Sequence, residues 1–184
     1  MATTHPITVE QYEHSFEGYP GLRDELINGR IVMNPPPKPL HQHVLRNVMR
    51  VLEAVCESKN YTVNTNTGIR FAGQLSELGP DVFVISRTAM EKAIEADDYL
   101  STPPVLVVEV ALSEAEHRQR IADKVAIYLS AGVSRVWVVE PEKRLVTVHS
   151  STGQTTCQSD WTVSLPSPFK GKVNVAGFFA GLPE

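Results

Sequence analysis

The chain has 184 residues, which suits one domain over residues 1–184 with a single core and excludes two domains of usual size. Its formal net charge of -4 argues against a general nucleic-acid coat protein, which would carry a basic excess, but is compatible with a nuclease whose metal ligands are acidic. The chain has two cysteines, neither with a CxxC partner, which predicts a reduced, cytoplasmic protein. It shows no apolar leader and no apolar run of membrane length, so no membrane contact is expected.

The first third of the chain predicts helices, a hairpin and a strand. Thr8 as an N-cap predicts a short helix that ends at Phe16. Asn28-Gly29 is a two-residue turn typical of a β-hairpin, which a Pro-rich stretch over 34–39 ends. Apolar residues at helical spacing predict a helix over 40–58, and residues 61–71 follow as a strand with a break at Gly68.

Two nearly all-apolar runs, residues 82–85 and 105–108, predict central strands covered on both faces. The helices predicted over 40–58 and 113–130 are available as covers. The predicted architecture is therefore a mixed sheet between helices, in the α/β or α+β class.

The remaining elements are less regular. A short helix is predicted over 88–97, and Ser113 is the predicted N-cap of the helix that Gly132 stops. A hairpin over 135–149 and a weakly patterned tail complete the chain.

Glu109 lies inside Val-Val-Glu-Val, a run that is otherwise typical of full burial. A carboxylate there costs several kcal/mol unless it is paired, protonated or bound to a metal. A structural role, at an exposed strand end or beside a buried arginine, and a functional role both fit this pattern.

Asp81 opens its strand, whereas Glu109 lies near the end of its own. If the two strands pair antiparallel, both carboxylates reach one edge of the sheet, and if they pair parallel they lie at opposite ends. An aspartate after Gly-Pro is also typical of a turn. Converging carboxylates would suit a hard divalent cation such as Mg²⁺.

Lys124 lies on the flank of the buried stripe of its helix, from which an amine can reach over the sheet edge. The alternative is a lysine that follows the helix border into solvent. Arg118 and Arg120 are predicted to face further outward, where they would be solvated or touch phosphate. His41 and His43 are spaced i, i+2, which does not place both on one helical face.

Several motifs follow one another over roughly residues 8–150. They are Asp24-Glu25-Leu-Ile-Asn-Gly29, the Pro-rich turn and helix start from Pro35 to His41, Pro80-Asp81-Val82, Val-Val-Glu-Val at 107–110, Lys124 with Tyr128, and Gly132 to Pro141. In this order they resemble the Uma2 (DUF820) family of PD-(D/E)XK nuclease-like proteins.

The resemblance implies a restriction-endonuclease-like fold and a Mg²⁺- or Mn²⁺-dependent DNA endonuclease site made of Glu25, Asp81, Glu109 and Lys124. Asp81, Glu109 and the backbone carbonyl of Val110 are then the expected metal ligands, with Glu25 supporting the metal through water. Ala111 stands where a Glu-x-Lys motif has its lysine, so the resemblance implies that Lys124 supplies the amine instead.

A catalytically silent module that binds nucleic acid or a partner protein is the rival hypothesis. Many relatives carry an aspartate at the position of Arg120, and this departure and the sequence pI of 5.9 favour the silent module. Retention of the four polar site residues favours the enzyme. The family resemblance, together with a hairpin that carries Trp137 and a tail that carries Phe178-Phe179, also predicts a homodimer.

Overall fold

The computed structural model describes residues 5–15, 23–112 and 114–183, in which a six-stranded sheet lies between helices. The helices are α1 (Val9–Ser15), α2 (Pro39–Cys56), α3 (Arg87–Ala96) and α4 (Ala115–Ser130). The strands are β1 (Arg23–Ile27), β2 (Arg30–Asn34), β3 (Tyr61–Asn64), β4 (Ile69–Arg70), β5 (Glu77–Leu78), β6 (Val82–Ser86), β7 (Leu106–Val110), β8 (Arg135–Glu140), β9 (Leu145–Ser150), β10 (Gly153–Gln158), β11 (Thr162–Ser164) and β12 (Lys172–Asn174). Short 3-10 helices span Pro141–Lys143 and Val175–Phe179. Within these described ranges, no helix is long and apolar enough to cross a membrane.

The six-stranded sheet has the order β10-β9-β8-β7-β6-β3, and the predicted mixed sheet is confirmed. β7 and β8 are parallel, connected through α4, whereas the other neighbours are antiparallel. The buried side chains of β6 and β7 alternate between two cores. One core contains Val82 and Val108 with α2, and the other contains Phe83 and Val107 with α4.

A smaller antiparallel sheet has the order β2-β1-β5-β4. The strand predicted over 61–71 is wrong as a single element, because β3 pairs with β6 in the large sheet and β4 pairs with β5 in the small one. Buried residues of the small sheet and of α4 belong to one core, which they share with Phe83 and Val107 of the large sheet. This arrangement brings β1, the start of β6 and the end of β7 towards one face of α4.

Local chemistry explains several element ends. The Thr8 hydroxyl accepts a hydrogen bond from the Gln11 N–H at 3.1 Å, and the Gln11 side chain accepts one from the Thr8 N–H at 2.9 Å, which is a capping box at the start of α1.

Asn28 and Gly29 have φ of 50° and 74°, as the predicted hairpin turn requires. Phe16 and the predicted cap Ser113 lie outside the described residues, and α4 has Glu114 at its N-cap position.

The C-terminal segment closes the core on the α2 side. Asn47 Nδ2 donates hydrogen bonds to the carbonyl oxygens of Phe178 and Ala180, at 3.2 and 2.9 Å. Phe178 and Phe179 are buried in the core that also holds Trp137. The expectation that these three side chains offer a surface to a second copy is wrong, and the homodimer prediction now rests on family resemblance alone.

Candidate active site

The four predicted site residues meet at one end of the six-stranded sheet. Lys124 Nζ lies 2.8 Å from Glu25 Oε1 and 2.8 Å from Glu109 Oε1. The same ammonium lies 3.4 Å from the backbone oxygen of Gly79, two residues before Asp81. The structure therefore brings side chains from β1, β7, α4 and the start of β6 to one place.

Asp81 is held against the end of β7. Because β6 and β7 are antiparallel with Val82 opposite Val108, the residue before Val82 faces the residues after Val108. Asp81 Oδ2 accepts a hydrogen bond from the backbone N–H of Val110 at 2.8 Å. The antiparallel alternative, which places both carboxylates at one edge of the sheet, is the arrangement observed.

Glu109 and Lys124 are buried partners. Glu109 is 2% exposed and Lys124 is 5% exposed, so neither an exposed strand end nor a solvent-directed lysine describes them. Tyr128 follows Lys124 by four residues and lies on the same face of α4. Its hydroxyl donates a hydrogen bond to Glu109 Oε1 at 2.8 Å, so α4 supplies two donors to one carboxylate oxygen.

Charge in this cluster is unbalanced, because three carboxylates share one ammonium. Burial raises the pKa of Glu109 to about 8; Lys124 opposes the rise, and the charges of Asp81 and Glu25 add to it. Burial by itself lowers the pKa of Lys124, but Glu109, Glu25 and Asp81 outweigh burial and raise it above its ordinary value. Lys124 is thus a cation throughout the neutral range, whereas Glu109 exchanges a proton near neutrality.

Ionisation of Glu109 is expected to lower the stability of the metal-free protein as pH rises. Because folding raises this pKa, the contribution of Glu109 is fully present below its ordinary value of 4.5 and is lost as pH rises through about 8. The free energy of unfolding of the parent minus that of Glu109→Gln should fall by up to about 1.4 kcal/mol per pH unit between about pH 5 and pH 8. Urea titrations measure this difference, and a flat profile would contradict the raised pKa.

His41 belongs to the site, although its spacing from His43 gave no reason to select it. Its Nε2 lies 3.1 Å from Asp81 Oδ2, and its ring is buried. Burial tends to raise the pKa of Asp81, but His41, Lys124 and the Val110 N–H together hold it below the ordinary value. The signal that could have found His41 is its position three and seven residues before Val44 and Val48, on the buried face of α2.

Asn34 and Arg120 extend the cluster at the β1 side. Asn34 Nδ2 donates a hydrogen bond to Glu25 Oε2 at 2.9 Å, and the Gly79 N–H donates one to Glu25 Oε1 at 2.8 Å. Arg120 Nη1 lies 3.5 Å from Asn34 Oδ1. The expectation that Arg120 faces outward is wrong, since it is half-buried, whereas Arg118 is exposed as predicted.

A cavity of about 600 Å³ opens onto the cluster. Its acidic lining residues are Asp24, Glu25, Glu77, Asp81, Glu109 and Glu114, and its basic ones are Lys38, Arg120 and Lys124. His41 and His117 also line it, and burial, followed by the charge of Arg120, lowers the pKa of His117. The site is therefore an acidic cavity with histidines and a few cations at defined positions.

The donor set fits a hard divalent cation in type and charge. Carboxylate oxygens are the ligands that Mg²⁺ and Mn²⁺ prefer, and three carboxylates beside one ammonium leave negative charge uncompensated. Among the described residues, no group of three or more His, Cys, Asp or Glu side chains is arranged to hold a metal ion. The fit thus lies in the chemistry of the donors rather than in a preassembled ligand set.

Comparisons with known proteins give a family and a fold. Residues 9–176 match the model of the Uma2 family, described as "Putative restriction endonuclease". A crystal structure of a "putative nuclease belonging to DUF820" from Anabaena variabilis is similar, with a TM-score of 0.78 and 19% sequence identity, over 95% of this chain and 98% of that one. At this identity the likeness shows a shared fold. No curated protein matches the chain.

Proposed function

Because the chain belongs to the Uma2 family, we propose that it is a Mg²⁺- or Mn²⁺-dependent endonuclease that hydrolyses phosphodiester bonds in DNA. The observation that carries the proposal is the convergence of Glu25, Asp81 and Glu109 on Lys124 beside an open cavity. The family description and the fold shared with a protein described as a nuclease support it.

Asp81, Glu109 and the backbone carbonyl of Val110 would hold the cation, and Glu25 would support it through water. When bound, the cation supplies positive charge beside the scissile phosphate and lowers the pKa of a water molecule.

The chain's own groups hold the reacting parts in place. Tyr128 and Lys124 orient Glu109, while His41 and the Val110 N–H orient Asp81. Because its pKa is raised, Lys124 keeps its proton, so it places a positive charge beside the attacking water rather than acting as a base. The attacking water gives one proton to solvent and its oxygen forms a bond to phosphorus, the bond from phosphorus to one sugar oxygen breaks, and that sugar oxygen takes up a proton from solvent.

Addition of Mn²⁺ or Mg²⁺ is expected to raise the melting temperature of the parent protein. A ligand present at 100 times its Kd stabilises the folded state by about 2.7 kcal/mol, which corresponds to roughly 5–11 °C for a chain of this size. Glu109→Ala should abolish the rise, because it removes a carboxylate at the centre of the cluster. Differential scanning fluorimetry with and without EDTA measures both.

Glu95→Ala is the matched control, because Glu95 is an exposed glutamate on α3 that does not line the cavity. It should keep the full metal-dependent rise. If neither cation shifts the melting temperature of the parent, a silent nucleic-acid- or protein-binding module becomes the better reading of this chain.

A further inference from the structure

Arg120 lines the cavity one helical turn before Lys124. The two residues are four apart in α4, so they lie on the same face of the helix and their Cα atoms are separated by about 6 Å along its axis. The guanidinium therefore sits beside the carboxylate cluster rather than within it.

The hydrogen bonds of Arg120 leave most of its donors available. A guanidinium carries five N–H donors in a rigid planar fork. Arg120 Nη1 has one long contact of 3.5 Å to Asn34 Oδ1. Its Nε is buried and has no hydrogen-bond partner in the described part of the chain. Because Nε is enclosed, the Nη groups are the donors that remain for an acceptor on a ligand.

Arg120 also differs from the other cavity cations in its ion pairing. Lys124 lies between Glu25 and Glu109, and Lys38 Nζ lies 3.4 Å from Glu114 Oε1. Across residues 5–15, 23–112 and 114–183, no ion pair within 4.0 Å includes Arg120. A polyanion that enters this acidic cavity needs a cation that a carboxylate has not already neutralised.

We propose that Arg120 binds two oxygens of a substrate phosphate through its two Nη groups. The two adjacent N–H groups of an arginine fork match the spacing of two phosphate oxygens. Asn34 joins Arg120 to Glu25, so the position of the fork is tied to that of the carboxylate cluster. The inference rests on the proposed nuclease function, in which the phosphate belongs to the DNA backbone.

Fluorescence anisotropy with a labelled DNA duplex in EDTA tests the binding role without cleavage. Arg120→Gln should raise the Kd at least about tenfold and reduce the slope of log Kd against log salt concentration by about 1. Arg118→Gln, which removes an exposed arginine from the same helix, should stay within about twofold of the parent. The proposal is overturned if Arg120→Gln binds like the parent, or if Arg118→Gln loses as much affinity.

Arg120→Lys keeps the charge and removes the fork, so it decides the question if Arg120→Gln does not fold. The Kd of Arg120→Lys for DNA should be higher than that of the parent and lower than the value expected for Arg120→Gln. A Kd equal to that of the parent would overturn bidentate binding. Inorganic phosphate should raise the melting temperature of the parent more than that of Arg120→Lys, and equal shifts would count against the proposal.

Cleavage kinetics with Mn²⁺ separate this inference from the proposed function. If the parent nicks DNA, Arg120→Gln should raise KM while its Mn²⁺-dependent rise in melting temperature stays as in the parent. Nicking with an unchanged KM would overturn the role of Arg120 alone. A parent that binds DNA through Arg120 but never nicks it would overturn the nuclease proposal and support the phosphate site.

Discussion

Replacing Lys124 with alanine is expected to lower the free energy of unfolding of the metal-free protein by about 3–5 kcal/mol above pH 8. The substitution leaves Glu25 and Glu109 buried without the ammonium that lies 2.8 Å from each. At lower pH the loss should be smaller, because protonation of Glu109 removes one of the uncompensated charges. Urea unfolding at pH 6 and pH 9 measures both values.

The same variant is expected to lose metal-dependent DNA nicking by at least about 100-fold, because a charged donor that stabilises the reacting groups is removed. Its Mn²⁺-dependent rise in melting temperature should persist, since the three carboxylates remain. Lys92→Ala, at an exposed lysine on α3, should behave like the parent in all three measurements. If Lys124→Ala nicks DNA as fast as the parent, the role proposed for Lys124 in the reaction is wrong.

Asp81→Asn is the second substitution with a large expected effect. Asparagine keeps the shape of the side chain and an acceptor for the Val110 N–H, but it removes the charge that the lowered pKa of Asp81 maintains in the neutral range. Nicking should fall by at least about 100-fold, and the metal-dependent rise in melting temperature should disappear. A supercoiled-plasmid assay and scanning fluorimetry measure the two effects.

Asp123→Asn is the matched control, because Asp123 precedes Lys124 in the chain but hydrogen-bonds Gln119 and does not line the cavity. It should leave both readouts unchanged. The Lys124 and Asp81 variants are thus expected to differ in kind, since one loses the reaction and keeps the metal and the other loses both. Retention of the metal response in Asp81→Asn would remove Asp81 from the proposed ligand set.

Patterns along the chain predicted those parts of the fold that depend on burial. The runs around Val84 and Val107 are central strands because they are apolar on both faces, and Asn28-Gly29 forms the hairpin turn because both residues tolerate positive φ. The two-residue strand β5 escaped prediction, and β4 was predicted only as the end of the strand over 61–71, because so short a segment has no period of its own and is defined by its partner.

The candidate site was predictable where chemistry conflicts with burial. Glu109 inside an apolar strand is such a conflict. The antiparallel direction of the β6–β7 pairing then decided where Asp81 lies. His41 and Arg120 were missed or misplaced because their roles depend on residues 40 and 86 positions away in sequence. Contacts of that separation follow from the packing of α2 and α4 against the sheets, which local periodicity does not contain.

The hydrogen bonds from Asn47 to the C-terminal segment have a consequence for the order of folding. Asn47 and Ala180 are 133 residues apart, and the core on the α2 side contains Phe178. During synthesis, α2 is therefore made well before the C-terminal segment that packs against part of its apolar face. Closing so long a loop costs only slightly more entropy than closing one of half the length, so the delay is set by translation rather than by chain statistics. Until residue 180 has left the ribosome, the part of α2 that this segment covers stays open to chaperones and to other unfinished chains.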